Sequence, residues 1–313
     1  MRIAVIGAGG VGGVFGGLLA RAGNDVSFVA RGQHLAAIQA GGLRIHGPWG
    51  THAIRAQVAQ EPAGLAGGAP FDAVLVCVKA WQVGEMAPRL RPLVGPGTVV
   101  IPLQNGVDAA VTLAEALGAG PVAGGLCHVS AWIEGPGQVR TTGAPLQITV
   151  GELNGGGSAR LTRLAEAIRA SGAGAVVADD VLAATWEKFL FIDPLSSVGA
   201  ATRAPLGMMR AEPMTRALLV AAAEEVAAVA RARGVRIAPD AVARTVARYD
   251  ELPPTITASM QRDVEAGRPS ELHEQTGTVV RLGEQAGVPV PVHRFLLAVL
   301  TPQELAARSA KTG

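Results

Sequence analysis

Three lysines stand out by rarity. Of the 27 lysines and arginines in the chain, only Lys79, Lys188 and Lys311 are lysine. A sequence this biased towards arginine keeps lysine where a compact, tunable ammonium is useful. Lys79 ends the apolar run Phe71–Val78, and the ends of such runs are where open α/β sheets bind ligands. Lys188 lies in Trp186-Glu187-Lys188-Phe189-Leu190-Phe191. Desolvation in that company would lower its pKa and ready it for acid–base work. The plain alternative is that both ammoniums reach solvent, and Lys311, in the tail, needs no role. Asparagine is equally scarce, at Asn24, Asn105 and Asn154. Asn105 follows Gln104 just past another strand-like run, which puts it on the same edge as Lys79; the alternative is a turn-forming Asn-Gly with Gly106.

Gly7-Ala8-Gly9-Gly10-Val11-Gly12 is G-x-G-x-x-G directly after a strand-like run and before a helical one. The glycines allow a tight turn and let backbone amides approach a pyrophosphate at a helix N-terminus. Sites for NAD usually place Asp or Glu about 20 residues on, for the ribose 2′-hydroxyl. No acidic residue occurs between Val26 and Gln60, and Arg31, Gln33 and His34 occupy the place instead. A guanidinium suits a 2′-phosphate, so the expected cofactor is NADPH/NADP+. The alternative is that Arg31 is a solvated loop charge.

The elements that must position these groups follow from pattern. Arg2–Ile6, Asp25–Ala30, Phe71–Val78 and Thr98–Leu103 read as strands, and Val11–Ala22 and Ser158–Ala170 as helices. Strands alternating with helices imply βαβ units and a doubly wound parallel sheet. Leu43–Val58 and Val122–Val150 break at Gly-Pro turns and read as antiparallel additions to that sheet, with a short last strand at Ala175–Ala178. From about Asp180 the texture turns helical: Leu182–Phe191, Met214–Arg233, Ala238–Tyr249, Pro254–Ala266, Glu271–Ala286 and His293–Leu300. The expected fold is therefore α/β, a Rossmann-type domain over residues 1–179 and an all-helical domain over residues 180–313 carrying substrate and catalytic groups.

Composition narrows the class. The 313 residues are 49% apolar with mean hydropathy +0.32 and only 17% charged, which supplies a core and argues against disorder. A net charge of +2 with no basic run offers nothing to grip nucleic acid. Cys77 and Cys127 make no disulfide framework and have no metal-ligand company. Ile3–Ala20 carries no charge and imitates a signal peptide or a span, but it holds seven glycines, each costing about 1 kcal/mol in a helix. A strand, glycine turn and buried helix start explain it better. No membrane association and a cytoplasmic location are expected, with a homodimer left open.

Taken together these residues resemble the ketopantoate reductase (2-dehydropantoate 2-reductase) family. The likeness spans nearly the whole chain: the N-terminal GAGGVG, Val78-Lys79-Ala80-Trp81-Gln82, Gln104-Asn105-Gly106-Val107, Trp186-Glu187-Lys188, Ser259-Met260 followed by Glu271, and Gly287-Val288-Pro289-Val290-Pro291. The resemblance implies reduction of a small-molecule 2-oxo acid to a 2-hydroxy acid with NADPH, in a cleft between a Rossmann and a helical domain. It implies Lys188 as general acid and Glu271 as the carboxylate that engages substrate and cofactor and helps set the lysine. Ser259 matches a residue binding the substrate carboxylate. Lys79, Gln104 and Asn105 match positions near the nicotinamide and substrate.

Three positions depart from the family pattern. Asparagines usual four and eight residues after the lysine are Ile192 and Ser196 here, and one five residues after the glutamate is Thr276. Asp193, Ser196 and Ser197 are the nearby polar residues that could compensate. The leading expectation is ketopantoate reductase activity in pantothenate biosynthesis. Beside it stand a D-2-hydroxy acid dehydrogenase of the same family taking a bulkier 2-oxo acid, and a non-catalytic NADP(H)-binding sensor, which the presence of Lys188 and Glu271 disfavours.

Overall fold

A computed structural model describes residues 1–310, with only the backbone of Ala144; Lys311 lies outside the described residues. By its contacts the chain divides into an α/β unit, Met1–Gln104 with Asp108–Val181, and a helical unit, Asn105–Val107 with the chain from Leu182 onward.

The α/β unit is organised by β1 (Arg2–Ile6). It is followed by α1 (Gly10–Arg21), β2 (Asp25–Val29), α2 (Gly32–Gly41), β3 (Leu43–Gly47), β4 (Gly50–Ile54), β5 (Gln57–Ala59), β6 (Ala73–Val76), α3 (Val83–Met86), β7 (Val99–Pro102) and α4 (Ala109–Leu117). Strands β5-β2-β1-β6-β7 form a five-stranded, wholly parallel sheet. Side chains alternate across it, as the pleat requires. Ile3 and Val5 face one core with Phe15, Phe28 and Leu75, while Ala4 and Ile6 face another with Val74, Met86 and Leu90. Both faces are covered, so the strands are continuous apolar runs.

The β-like runs expected as antiparallel additions to this sheet are, apart from one short parallel edge strand, a sheet of their own. Strands β3 and β4, with β8 (Ala123–Gly135), β9 (Gln138–Glu152) and β10 (Gly174–Val177), form a second sheet in the order β10-β9-β3-β4, with β8 on β9. It is mixed rather than antiparallel: β3 and β10 both run parallel to β9. At the end of the first run, Gln57 and Val58, with Ala59, join the first sheet as its parallel edge. Helix α1 lies between the sheets, and its glycines explain how. A Cβ on Gly12 or Gly16 would fall 2.9 Å or less from Val5 or Phe28 of the first sheet or from Cys77 just beyond β6; one on Gly13 or Gly17 would meet Val139 or Ile45 of the second. The apolar N-terminal run is thus a central strand, a glycine turn and a helix pressed between two sheets. α5 (Ala159–Ala170), capped by the Ser158 hydroxyl accepting from the Leu161 amide, completes the unit.

The helical unit contains α6 (Val181–Thr202), α7 (Leu206–Ala211), α8 (Pro213–Ala232), α9 (Ala241–Glu251), α10 (Ser259–Glu265), α11 (Thr276–Ala286) and α12 (Pro291–Ser309). α6 runs eleven residues past its expected end at Phe191, through Pro194. Its apolar residues recur around the whole circumference and pack into three separate clusters, as suits a central helix. Trp186 and Phe189 pack with Ala223, Ala227 and Val279; Leu195 and Val198 pack with Leu206, Met209 and Tyr249; Ala200 packs with Met260 and Leu272. The helix expected from Glu271 begins only at Thr276. Buried Glu304 accepts from the Ser270 amide and hydroxyl, and Gln275 leaves helical geometry at φ −107°, ψ −88°, so Glu271 sits in a turn. No helix among the described residues is long and apolar enough to cross a membrane.

Candidate functional site

In the α/β unit the predicted residues gather because parallel strands end together. The Gly7–Gly12 loop follows β1, Arg31 follows β2, Lys79 follows β6 and Gln104 follows β7. They share the carboxyl edge, and β1 and β6 flank the point where strand order reverses. Gly7 has φ +105°, and its missing Cβ would lie 3.0 Å from the Cys77 backbone, so the turn requires glycine. Gly9 caps α1 with no side chain accepting from its first turn, and space opens beside Gly9. Amides at a helix N-terminus with no side-chain cap are a natural anion cradle.

His34 braces this loop. Its Nδ1 accepts from the Gly137 amide at 3.0 Å, so its Nε2 carries the hydrogen and donates to the Ala8 carbonyl at 2.8 Å. At the end of β6, the Lys79 amide donates to the Gln82 side chain at 3.2 Å and the Lys79 ammonium lies 5.7 Å from the Trp81 ring. Gln104 donates to the carbonyls of Val76 and Val78, both at 2.9 Å, while its Oε1 is buried without a partner. Cys77 and Cys127 are not joined in a disulfide, and burial, then the nearby Cys127, pushes Cys77 well above the ordinary range.

Arg31 is not a lone loop charge. It donates to Glu61 Oε1 at 3.0 Å, and Arg89 donates to Glu61 Oε2 at 3.1 Å and to Glu85 at 2.6 Å. Glu61 and Arg89 went unread in the sequence. The β2–β5 register pairs Val29 with Ala59, which brings residues two beyond each strand side by side across 30 positions of chain.

The helical unit holds Asn105, Lys188, Ser196, Ser259 and Glu271. Asn105 arrives with the short stretch after β7, whose Val107 packs into the cluster containing Trp186 and Phe189. Gly106, at φ +121°, lies against the Glu274 backbone: a Cβ there would be 3.2 Å from the Glu274 carbonyl oxygen. The Asn105 loop and the Glu271–Glu274 turn are therefore brought together. Glu271 is buried and accepts from Gln275 at 3.4 Å. Burial raises the Glu274 carboxyl, and the neighbouring Glu271 charge adds to the rise against Arg308 and His273. Lys188 is half-buried on α6, and Ser259 opens α10.

Of the three residues expected to compensate for the missing asparagines, two are already engaged. Asp193 is wholly buried, accepting from Thr276 at 3.1 Å and pairing with His293 at 2.7 Å. Ser197 donates to the Asp193 carbonyl. Ser196 alone of the three has a buried hydroxyl with no partner. His293 also meets Glu225 at 2.6 Å, and Glu225 accepts from the Val292 and His293 amides, capping α12. Burial acts to lower the His293 pKa, but the Asp193 charge and the bonds to both carboxylates outweigh it and raise it to about 9. This network joins residues 100 apart, and no local signal announced it. Among the described residues no group of three or more His, Cys, Asp or Glu is arranged to hold a metal ion.

Comparison with known proteins bears on the whole chain. The family model for ketopantoate reductase PanE/ApbA matches residues 3–155, and that for its C-terminal part matches residues 180–304. A 2-dehydropantoate 2-reductase of Mesorhizobium japonicum is 31% identical, over 96% of this chain and 97% of that protein. The crystal structure of a PanE/ApbA family ketopantoate reductase from Ralstonia eutropha JMP134 is 32% identical with TM-score 0.89, covering 98% of this chain and 100% of the other. A D-mandelate dehydrogenase solved with NADH and anilino(oxo)acetate shares the fold at TM-score 0.89 and 22% identity, over 98% of this chain and 100% of that one.

Proposed function

The chain belongs to the ketopantoate reductase family, and from that premise we propose that it reduces a 2-oxo acid to the 2-hydroxy acid with NADPH, the simplest substrate being 2-dehydropantoate on the way to pantothenate. One observation carries the reading: Lys188, the Glu271–Glu274 turn and Asn105 belong to one body, the last drawn into it from the loop after β7.

The α/β unit fits a nicotinamide dinucleotide by its uncapped α1 amides and the open space at Gly9. The residues Gly7, Ala8, Gly9, Gly10, Val11 and Gly12 would hold the pyrophosphate, Arg31 the 2′-phosphate, and Lys79, Gln104 and Asn105 the nicotinamide side. When bound, the reduced nicotinamide supplies a hydride to the carbonyl carbon of the substrate. Lys188 hydrogen-bonds the carbonyl oxygen, offsets its growing negative charge and delivers its proton there. Glu271 orients the ammonium and accepts from the substrate. Ser259 donates to the carboxylate, Asn105 offers both donor and acceptor, and Ser196 has its hydroxyl available.

A second reading keeps this chemistry with a bulkier or more apolar 2-oxo acid, as in a D-2-hydroxy acid dehydrogenase. It is favoured by the Thr276 hydroxyl, which is buried and given to Asp193, and by Ile192 in place of an amide.

Replacing the acid tests the reading. Lys188→Ala should lower turnover roughly 10²–10⁴-fold, the usual share of a positioned acid, with NADPH affinity little changed. Near-normal turnover would move the role elsewhere, first to Lys79.

A further inference from the structure

We propose that Glu61 sets the balance between NADPH and NADH by acting as a built-in anion that competes with the 2′-phosphate for Arg31. This rests on the reading that Arg31 receives that phosphate. The geometry of the cluster supplies the argument. Glu61 divides its two oxygens between two guanidiniums, Arg31 at 3.0 Å and Arg89 at 3.1 Å. A single carboxylate flanked by two arginines is held in the way the oxygens of a phosphate are held.

The pair is built to open. The side chains of Arg31, Glu61 and Arg89 are 43%, 39% and 43% exposed. Ion pairs this accessible bias an equilibrium by about fivefold at most. A phosphate monoester carries nearly two charges and three acceptor oxygens, so it displaces the carboxylate. The two arginines respond differently. Arg89 keeps Glu85 at 2.6 Å when Glu61 moves, so its charge stays satisfied, and the guanidinium released to the ligand is that of Arg31. For an unphosphorylated ribose no displacement is needed. Glu61 can then accept from the 2′-hydroxyl, the task an acidic residue performs in NAD sites, while Arg31 stays paired. Glu61 therefore works against the phosphate and for the hydroxyl, and narrows the preference that Arg31 alone would create.

The test uses the full chain, calorimetric titration, and two probes differing only at the ribose: adenosine 2′,5′-bisphosphate and adenosine 5′-monophosphate. Glu61→Gln should tighten the bisphosphate roughly three- to fivefold and leave the monophosphate unchanged or weaker. In the double variant with Arg31→Ala the gain should vanish, because there is no guanidinium to release. Unchanged or weaker bisphosphate binding in Glu61→Gln, or a gain that survives without Arg31, would overturn the proposal. Arg31→Ala alone separates the two layers. If it weakens both probes equally, the cofactor reading falls and this proposal with it. If it weakens the bisphosphate selectively while Glu61→Gln gains nothing, only the role of Glu61 is lost.

Discussion

At the edge of the α/β unit Glu61 shares its oxygens between Arg31 and Arg89, all three side chains about 40% exposed. Inside the helical unit Asp193 and Glu225 share His293, with exposures of 0%, 11% and 0%. Both are ion-pair networks of comparable length, yet they have different physical consequences. The exposed network is screened by water and worth little to stability, so its members can trade partners with a ligand. The buried one has given up nearly all of its hydration, and removing His293 strands two carboxylates without their cation. It also caps α12 and fixes Thr276, so it holds helices in register and has no capacity to spare for a ligand. Charge that can exchange partners and charge placed to hold are told apart by exposure, not by residue type.

Substitutions that should respond to this difference range from a global loss to a local adjustment. His293→Ala leaves the Asp193 and Glu225 carboxylates without the cation they share and should cost about 3–5 kcal/mol in denaturant unfolding. The wild-type network also carries a pH signature. A histidine raised from 6.5 to about 9 contributes its stabilisation in full below about pH 6.5 and loses it as pH rises through about 9. Unfolding midpoints from pH 6 to 10 should fall along that window in the wild type and less in the variant; parallel curves would mean the imidazolium holds nothing.

Arg31→Ala is the counterpart. Stability should move by no more than about 1 kcal/mol, while NADPH should weaken ten- to a hundredfold more than NADH, the value of a charge-assisted bond. A large stability loss, or equal losses for both nucleotides, would erase the contrast between the two networks. The smallest effect is expected at Ile192→Asn, which should lower the KM for ketopantoate several-fold and leave simple alkyl 2-oxo acids nearly unchanged, because an amide restores discrimination for a hydroxyl that an apolar wall lacks. Identical shifts for both substrates would remove Ile192 from the polar end of the pocket.

What could be read before the structure was local. The glycine loop, the strand–helix alternation and the helical second half were legible because each depends on residues within a few turns of one another. The second sheet was misassigned because its logic is the parallel pairing of β3 with β9, residues 44–46 against 138–140, which no window of sequence contains. Glu61 and His293 were missed for the same reason: they meet Arg31 and Asp193 across 30 and 100 positions. The Asp193 side chain was expected to help a ligand; burial committed it to the interior instead. Lys188, Ser259 and Glu271 were singled out by resemblance from their order along the chain, whereas the turn that holds Glu271 depends on Glu304, thirty-three residues later.

The account stands most directly on a single assay: loss of dihydronicotinamide absorbance when the purified chain and NADPH meet a panel of 2-oxo acids, ketopantoate among them, with NADH run in parallel. Consumption of NADPH with 2-oxo acids, faster than NADH and with ketopantoate turned over alongside bulkier acids at a raised KM, is the predicted result. No oxidation of either nucleotide by any member of the panel, from protein that binds NADPH, would contradict it.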